Sequence, residues 1–167
     1  PDAREHADAL EFRMDLADGD PLSALDSYAG HLPIIATNRV TSEGGDAADT
    51  RERLETLVEA AAHPAVEAVD VELSAVEAGP GAAAAKDVRD AGATVVVSAH
   101  DFSETPATEK LVDILARAAE AGDVGKLATT ATDAGDVLAL LSATWDRTVA
   151  GHRVATMAMG EAGRHSR

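Results

Sequence analysis

Charged residues stand where apolar strands are expected. In Glu11-Phe12-Arg13-Met14-Asp15 the two kinds alternate, so an extended chain puts Glu11, Arg13 and Asp15 on one face. Val69-Asp70-Val71-Glu72-Leu73 repeats the pattern with Asp70 and Glu72. Arg39 closes one apolar block, His100 and Asp101 close another, Lys126 sits beside Leu127 and Ala128, and Arg167 follows the last block. A lysine in a water-poor mouth near other cations has a lowered pKa and attacks a carbonyl as a free amine. The resulting Schiff base is an electron sink that acidifies the adjacent carbon. A histidine then moves protons near neutral pH. Arginines grip a carboxylate through paired hydrogen bonds. The set implies a keto-acid substrate and proton abstraction beside its carbonyl.

Each feature also has a plainer reading. Glu11–Asp15 fits an exposed edge strand, and Asp70 and Glu72 fit buried partners of Arg13 or Arg39. Lys126 fits a surface position at a strand end, although it is one of only three lysines, with Lys86 and Lys110. His6, His31, His63, His152 and His165 have no motif around them and read as surface or structural. Glu5, Glu52, Glu55 and Glu59 read as solvated helix faces.

The elements that would position these groups alternate in type. Strands are predicted at Ala9–Leu16, Pro33–Arg39, Ala68–Leu73, Thr94–His100, Gly125–Thr130 and Arg153–Met159. Helices are predicted between them. Asp49 and Thr50 can cap one with Leu54, Leu57, Val58 and Ala61 on a single face, and Thr105-Pro106 reads as the start of another. Leu111, Ile114, Leu115 and Ala118 recur there at helical spacing. Gly92 and Gly122 stand at C-cap positions. Asp133 can cap a helix to about Trp145, with Val137, Leu138 and Leu141 apolar. Glu77–Ala85 reads as a turn entering a helix. Strict alternation predicts a parallel α/β sheet, and units of about 30 residues match the pitch of a (β/α)₈ barrel. In such a barrel, polar groups at the C-terminal strand ends converge on one mouth. A doubly wound sheet fits six strands too, but no Gly-rich phosphate loop follows any of them.

Composition narrows the class further. The 167 residues hold 14 Lys+Arg and 30 Asp+Glu, a net charge of −16, which argues against a nucleic-acid binder. No apolar run reaches the roughly 20 residues needed to span a bilayer, no signal peptide is visible, and a cytoplasmic protein is expected. Without Cys there are no disulfides and no thiolate metal sites. Scarce Lys, few aromatics and abundant Ala are typical of proteins from salt-loving microbes. A charge of −16 opposes compaction in dilute buffer, and at about 1 M salt the Debye length falls to roughly 3 Å. A requirement for molar salt is therefore expected.

The segments EFRMD, ATNRVTSEGG, VDVEL, VVVSAHDF, GKLA and MAMGEAGRHSR, in this order, resemble type I 3-dehydroquinate dehydratase. The resemblance covers nearly the whole chain. It implies a lyase that dehydrates 3-dehydroquinate to 3-dehydroshikimate in the shikimate pathway by syn elimination through a lysine Schiff base. It implies a (β/α)₈ TIM-type barrel, no metal or diffusible cofactor, a small-molecule substrate and a homodimer. Lys126 matches the imine-forming lysine, His100 the general base and Glu43 the carboxylate that orients that histidine. Glu11, Arg13 and Arg39 match residues that bind substrate hydroxyls. Arg167 matches the carboxylate clamp and Met159 a pocket-lining methionine. Residues 1–167 are expected to form a single barrel domain, incomplete here, with six of eight strands and the first and last missing. The alternatives are a class I aldolase of the same barrel type, and a truncated barrel that binds ligand without turnover.

Overall fold

The computed structural model describes residues 5–28 and 32–166; His31, Arg167 and the side chain of His165 lie outside its description. The chain divides into two compact units, residues 1–71 with 75–95 and residues 72–74 with 96–167.

In the first unit, β1 (Leu10–Arg13), β2 (Ile34–Thr37) and β3 (Val66–Glu72, all but its last residue) run parallel in chain order. Arg13 lies opposite Thr37, and Thr37 opposite Asp70. The helices are α1 (Pro21–Leu25), α2 (Arg51–Ala61), the single turn α3 (Leu73–Glu77, from its third residue on) and α4 (Pro80–Asp90). Asp20 caps α1 by accepting from the Leu22 and Ser23 N–H groups, each at 3.2 Å. Thr50 caps α2 through the Arg53 N–H, as its side-chain chemistry predicts. Ile34, Ala36, Leu57, Val69, Val71 and Val88 are at most 1% exposed and form the core. Leu54 and Ala61 join them, while Val58 is half-buried.

The second unit repeats the plan with β4 (Thr94–Asp101), β5 (Val124–Thr130) and β6 (Val154–Met159), again parallel and in order. The helices are α5 (Thr108–Ala121) and α6 (Ala134–Val149), and a 3-10 turn spans Ala162–Ser166. Leu127 and Ala158 point from the strands into a cluster with Leu111, Leu115, Leu140 and Ala143 of the helices. A Cβ on Gly125 would lie 2.7 Å from the Ala119 N, so this glycine lets α5 approach β5.

All six predicted strands form, with shifted ends. The first correction concerns the predicted Ala9–Leu16. The strand stops at Arg13, and Met14–Leu16 turn as a 3-10 helix, because the Asp15 carboxylate binds N–H groups of neighbouring loops. Leu73 leaves its predicted strand to begin α3. Helix α5 starts at Thr108, not Thr105; the Thr105 hydroxyl instead donates to the Thr130 carbonyl at 2.9 Å. Most of Glu77–Ala85 is helical, since Pro80 occupies the first position of α4. Gly92 ends α4 with φ +95°, which suits glycine, whereas Gly122 ends α5 in extended backbone. Asp133 caps α6 as predicted, but the helix continues to Val149. Its buried residues are Leu140 and Ala143, while Leu138 and Leu141 face outward at 66% and 45% exposure.

Candidate active site

Period-two alternation sorts each unit's strands into two faces. In the first unit Ile34, Ala36, Val69 and Val71 belong to the apolar side. Glu11, Arg13, Ile35, Thr37, Ala68 and Asp70 occupy the alternate positions, so charge collects on one face toward the strand C-termini.

Every described candidate there is held by a neighbour. Arg13 forks onto Asp15, with Nε to Oδ1 at 2.8 Å and Nη2 to Oδ2 at 2.5 Å. The Asp15 side chain is wholly buried and also accepts from the Arg39 and Asp46 N–H groups, both at 3.1 Å. Burial pushes the Asp15 carboxyl up, but these bonds outweigh it and hold it below the usual carboxylate range. The same hydrogen bond raises the Arg13 guanidinium. Arg39 pairs with Asp70 at 2.8 Å, with side chains 4% and 0% exposed. Of the two partners expected for Asp70, Arg39 is therefore the one that makes this close pair. Exposed Glu11 accepts from the Thr37 hydroxyl at 2.8 Å. Glu43 ends a 3-10 turn, Thr41–Glu43, and is half-buried. That turn lies against the Arg39 backbone, where a Cβ on Gly45 would fall 2.0 Å from the Arg39 carbonyl oxygen. The TSEGG segment thus needs glycine at its last position.

In the second unit Lys126 lies opposite Ser98 and Ala155, and His100 lies opposite Ala128, which lies opposite Met157. Parity puts Lys126, His100, Met157 and Met159 on the face away from the Leu127–Ala158 core. One strand spacing and two residue rises separate the Cα atoms of Lys126 and His100 by about 8 Å. Ser98, Ala128 and Ala155 flank the lysine, so its half-buried chain has small neighbours in register. Phe102 lies with its ring centroid 6.4 Å from that of His100 and 18° from parallel. Met159 is half-buried at the end of β6, and Arg167 is outside the described residues. Glu43 with Glu11, Arg13 and Arg39 belongs to the first unit, and His100 with Lys126 and Met159 to the second.

Sequence reasoning passed over Asp15, Thr37 and Phe102 as site residues. Asp15 carried a signal, an acid two residues after Arg13 on the same strand face. Thr37 carried none, because its partner is 26 residues away. Among the described residues no group of three or more His, Asp or Glu is arranged to hold a metal, and no helix is long and apolar enough to cross a membrane.

Fold and site together define an α/β protein with a lysine and a histidine on one strand face and paired arginines on another. The sequence model of type I 3-dehydroquinase matches residues 1–167. The 3-dehydroquinate dehydratase of Haloarcula marismortui is 56% identical, covering all of this chain and 74% of that protein. The Halobacterium salinarum enzyme is 51% identical over all of this chain and 75% of its own length. Among solved structures, the type I enzyme of Clostridium difficile with covalently modified comenic acid superposes with TM-score 0.84 at 29% identity, over 97% of this chain and 68% of that one. The Aquifex aeolicus enzyme gives 0.82 at 27% identity, over 99% and 75%. The chain belongs to the type I 3-dehydroquinase family, and its fold class is the α/β, TIM-barrel type that the resemblance implies.

Asp15→Ala leaves Arg13 without its fork and is expected to lower the unfolding free energy by about 1.5–3 kcal/mol, read by denaturant titration. Because the folded carboxyl titrates below its unfolded value, the stabilisation is complete above the ordinary Asp pKa. It disappears as pH falls through the folded value. The variant and parent stability curves therefore converge in acid, below about pH 4.

Proposed function

We propose that this chain dehydrates 3-dehydroquinate to 3-dehydroshikimate through an imine on Lys126. The observation that carries the proposal is the strand face itself: a half-buried lysine with Ser98, Ala128 and Ala155 beside it, and a histidine two residues along on the adjacent strand. The Lys126 amine adds to the substrate ketone and water leaves, forming the iminium. His100 removes a proton from the neighbouring carbon, and the electron pair moves into the iminium as an enamine. The pair returns to expel the β-hydroxyl, which departs with the proton His100 held. Hydrolysis releases the enone and restores the amine. The Clostridium difficile relative, solved with covalently modified comenic acid, supports covalent chemistry in this family.

The resemblance gives Glu43 the role of the carboxylate that orients the base. Glu11, Arg13 and Arg39 receive the substrate's hydroxyls, with the arginines already fixed by Asp15 and Asp70. Met159 lines the pocket and Arg167 clamps the carboxylate. No cofactor takes part. The family match gives the class I aldolase alternative no support.

Reduction with borohydride in the presence of 3-dehydroquinate, followed by peptide mass spectrometry, tests the chemistry. The adduct is expected on Lys126 and absent in Lys126→Ala; an adduct on Lys86 or Lys110 overturns the assignment. His100→Ala is expected to keep imine trapping while losing roughly 10²–10⁴-fold in turnover.

The acid excess supports a halophilic protein, as do the two halophile relatives. Its melting temperature is expected to rise steadily between dilute buffer and molar KCl. Equal stability at both ends overturns this reading.

The homodimer is assigned to α6. Leu138, Leu141, Trp145 and Val149 are 66%, 45%, 71% and 66% exposed and follow one another at helical spacing. A stripe of this kind can meet its own copy across a two-fold axis. Light scattering in molar salt is expected to give a dimer for the parent and a monomer for Trp145→Glu. A monomeric parent refutes the dimer, and a dimeric variant refutes the surface.

A further inference from the structure

The residues just after β4 have a feature that folding alone does not explain. Phe102 is one of two phenylalanines in the chain, and it is 54% exposed. It adds little to the core, yet the backbone around it is tied down from both sides. The Asp101 Oδ1 accepts from the Ser103 N–H at 2.9 Å, the Ser103 hydroxyl at 2.6 Å and the Glu104 N–H at 3.1 Å. The Asp101 carbonyl accepts from the Thr130 hydroxyl at 3.3 Å. Thr105 returns the connection, donating to the Thr130 carbonyl at 2.9 Å and lying 3.0 Å from the Thr129 hydroxyl. Residues 101–105 are thereby fastened to the end of β5, the strand that carries Lys126.

The fastened loop presents one ring. Phe102 lies nearly parallel to the His100 imidazole, offset, at the 6.4 Å centroid separation and 18° angle given above. That is within the range of offset aromatic pairs. An imidazole rotates about two bonds, and a proton transfer needs it aimed at one carbon. A flat partner restricts that rotation without taking either ring nitrogen, which a hydrogen-bonding partner would do.

We propose that Phe102 is a positioning residue for His100, and that the Asp101 carboxylate holds Phe102 in place. The proposal rests on His100 being the base. Burial pushes the Asp101 carboxyl up, but the Ser103 and Glu104 bonds and the charge of Lys110 together hold it below its ordinary range. It therefore serves as a carboxylate acceptor across the working pH range.

The test is steady-state kinetics on the full chain in molar salt with 3-dehydroquinate, beside borohydride trapping. Misaiming the base costs turnover and not imine formation. Phe102→Ala is expected to lower kcat roughly ten- to a hundredfold, with KM within about twofold and trapping on Lys126 unchanged. Phe102→Tyr, which keeps the flat ring, is expected to restore most of kcat. Asp101→Ala should behave like Phe102→Ala. Asp101→Asn keeps the Oδ1 acceptor and should stay near the parent. A Phe102→Ala enzyme with parental kcat, or with a raised KM alone, overturns the proposal, since Phe102 would then be only a wall of the pocket. So does an Asp101→Ala enzyme with parental kcat. A separate result, full turnover in His100→Ala, would refute the base itself, and is distinguishable because Phe102 is intact there.

Discussion

A carboxylate whose side chain is wholly out of water is tolerable only when its charge is answered, and Asp15 is answered from three places. The Arg13 fork arrives from its own strand. The N–H groups of Arg39 and Asp46 arrive from residues 24 and 31 positions away. One side chain therefore joins the end of β1 to the segment that follows β2, where Arg39 and Glu43 stand. Arg39 and Asp70 apply the same rule one strand further on, while Glu11 accepts a hydrogen bond from the Thr37 hydroxyl. Asp15 and Asp70 are each answered by an arginine, whatever the net −16 of the chain requires of its surface.

The second unit answers a different requirement. In the proposed reaction its strand face carries the amine and the base. Their neighbours Ser98, Ala128 and Ala155 are small, and the rigidity comes from the other face, where Leu127 and Ala158 are packed against α5 and α6. Close packing behind the sheet and small residues in front of it are two results of one alternation. A shift of a single residue would exchange Lys126 with Leu127 and ruin both.

Period two made most of this legible. Glu11 and Arg13, Asp70 and Glu72, and Lys126 beside Leu127 are visible as misplaced polarity before any coordinates, and the strands follow from the Val and Ile blocks. Caps at Thr50 and Asp133 were equally local. The misses share one cause, which is that their partners are distant in sequence. Thr105 looks like a helix cap until β5 offers its terminal carbonyl. Asp15 looks like a strand residue until two remote N–H groups draw it into a turn. In α6, Val137, Leu138, Leu140 and Leu141 are all apolar, so pattern alone cannot say which pair is buried. Packing chooses Leu140 and leaves Leu138 outside. The substrate came only from the resemblance, because a lysine, a histidine and arginines fit many keto acids.

The boundary between the two units also divides labour along the chain. The residues proposed for hydroxyl recognition, Glu11, Arg13 and Arg39, belong to the first unit together with Glu43, and the proposed imine lysine and base, Lys126 and His100, belong to the second. Each set is stabilised by contacts internal to its own unit: Asp15 and Asp70 in one, the Asp101 turn and the helix-backed strands in the other. In the proposed reaction, a substitution at Asp15 or Asp70 therefore acts first on the arginines, and one at Asp101 acts first on the histidine. Damage to grip and damage to proton transfer are separable at their supports.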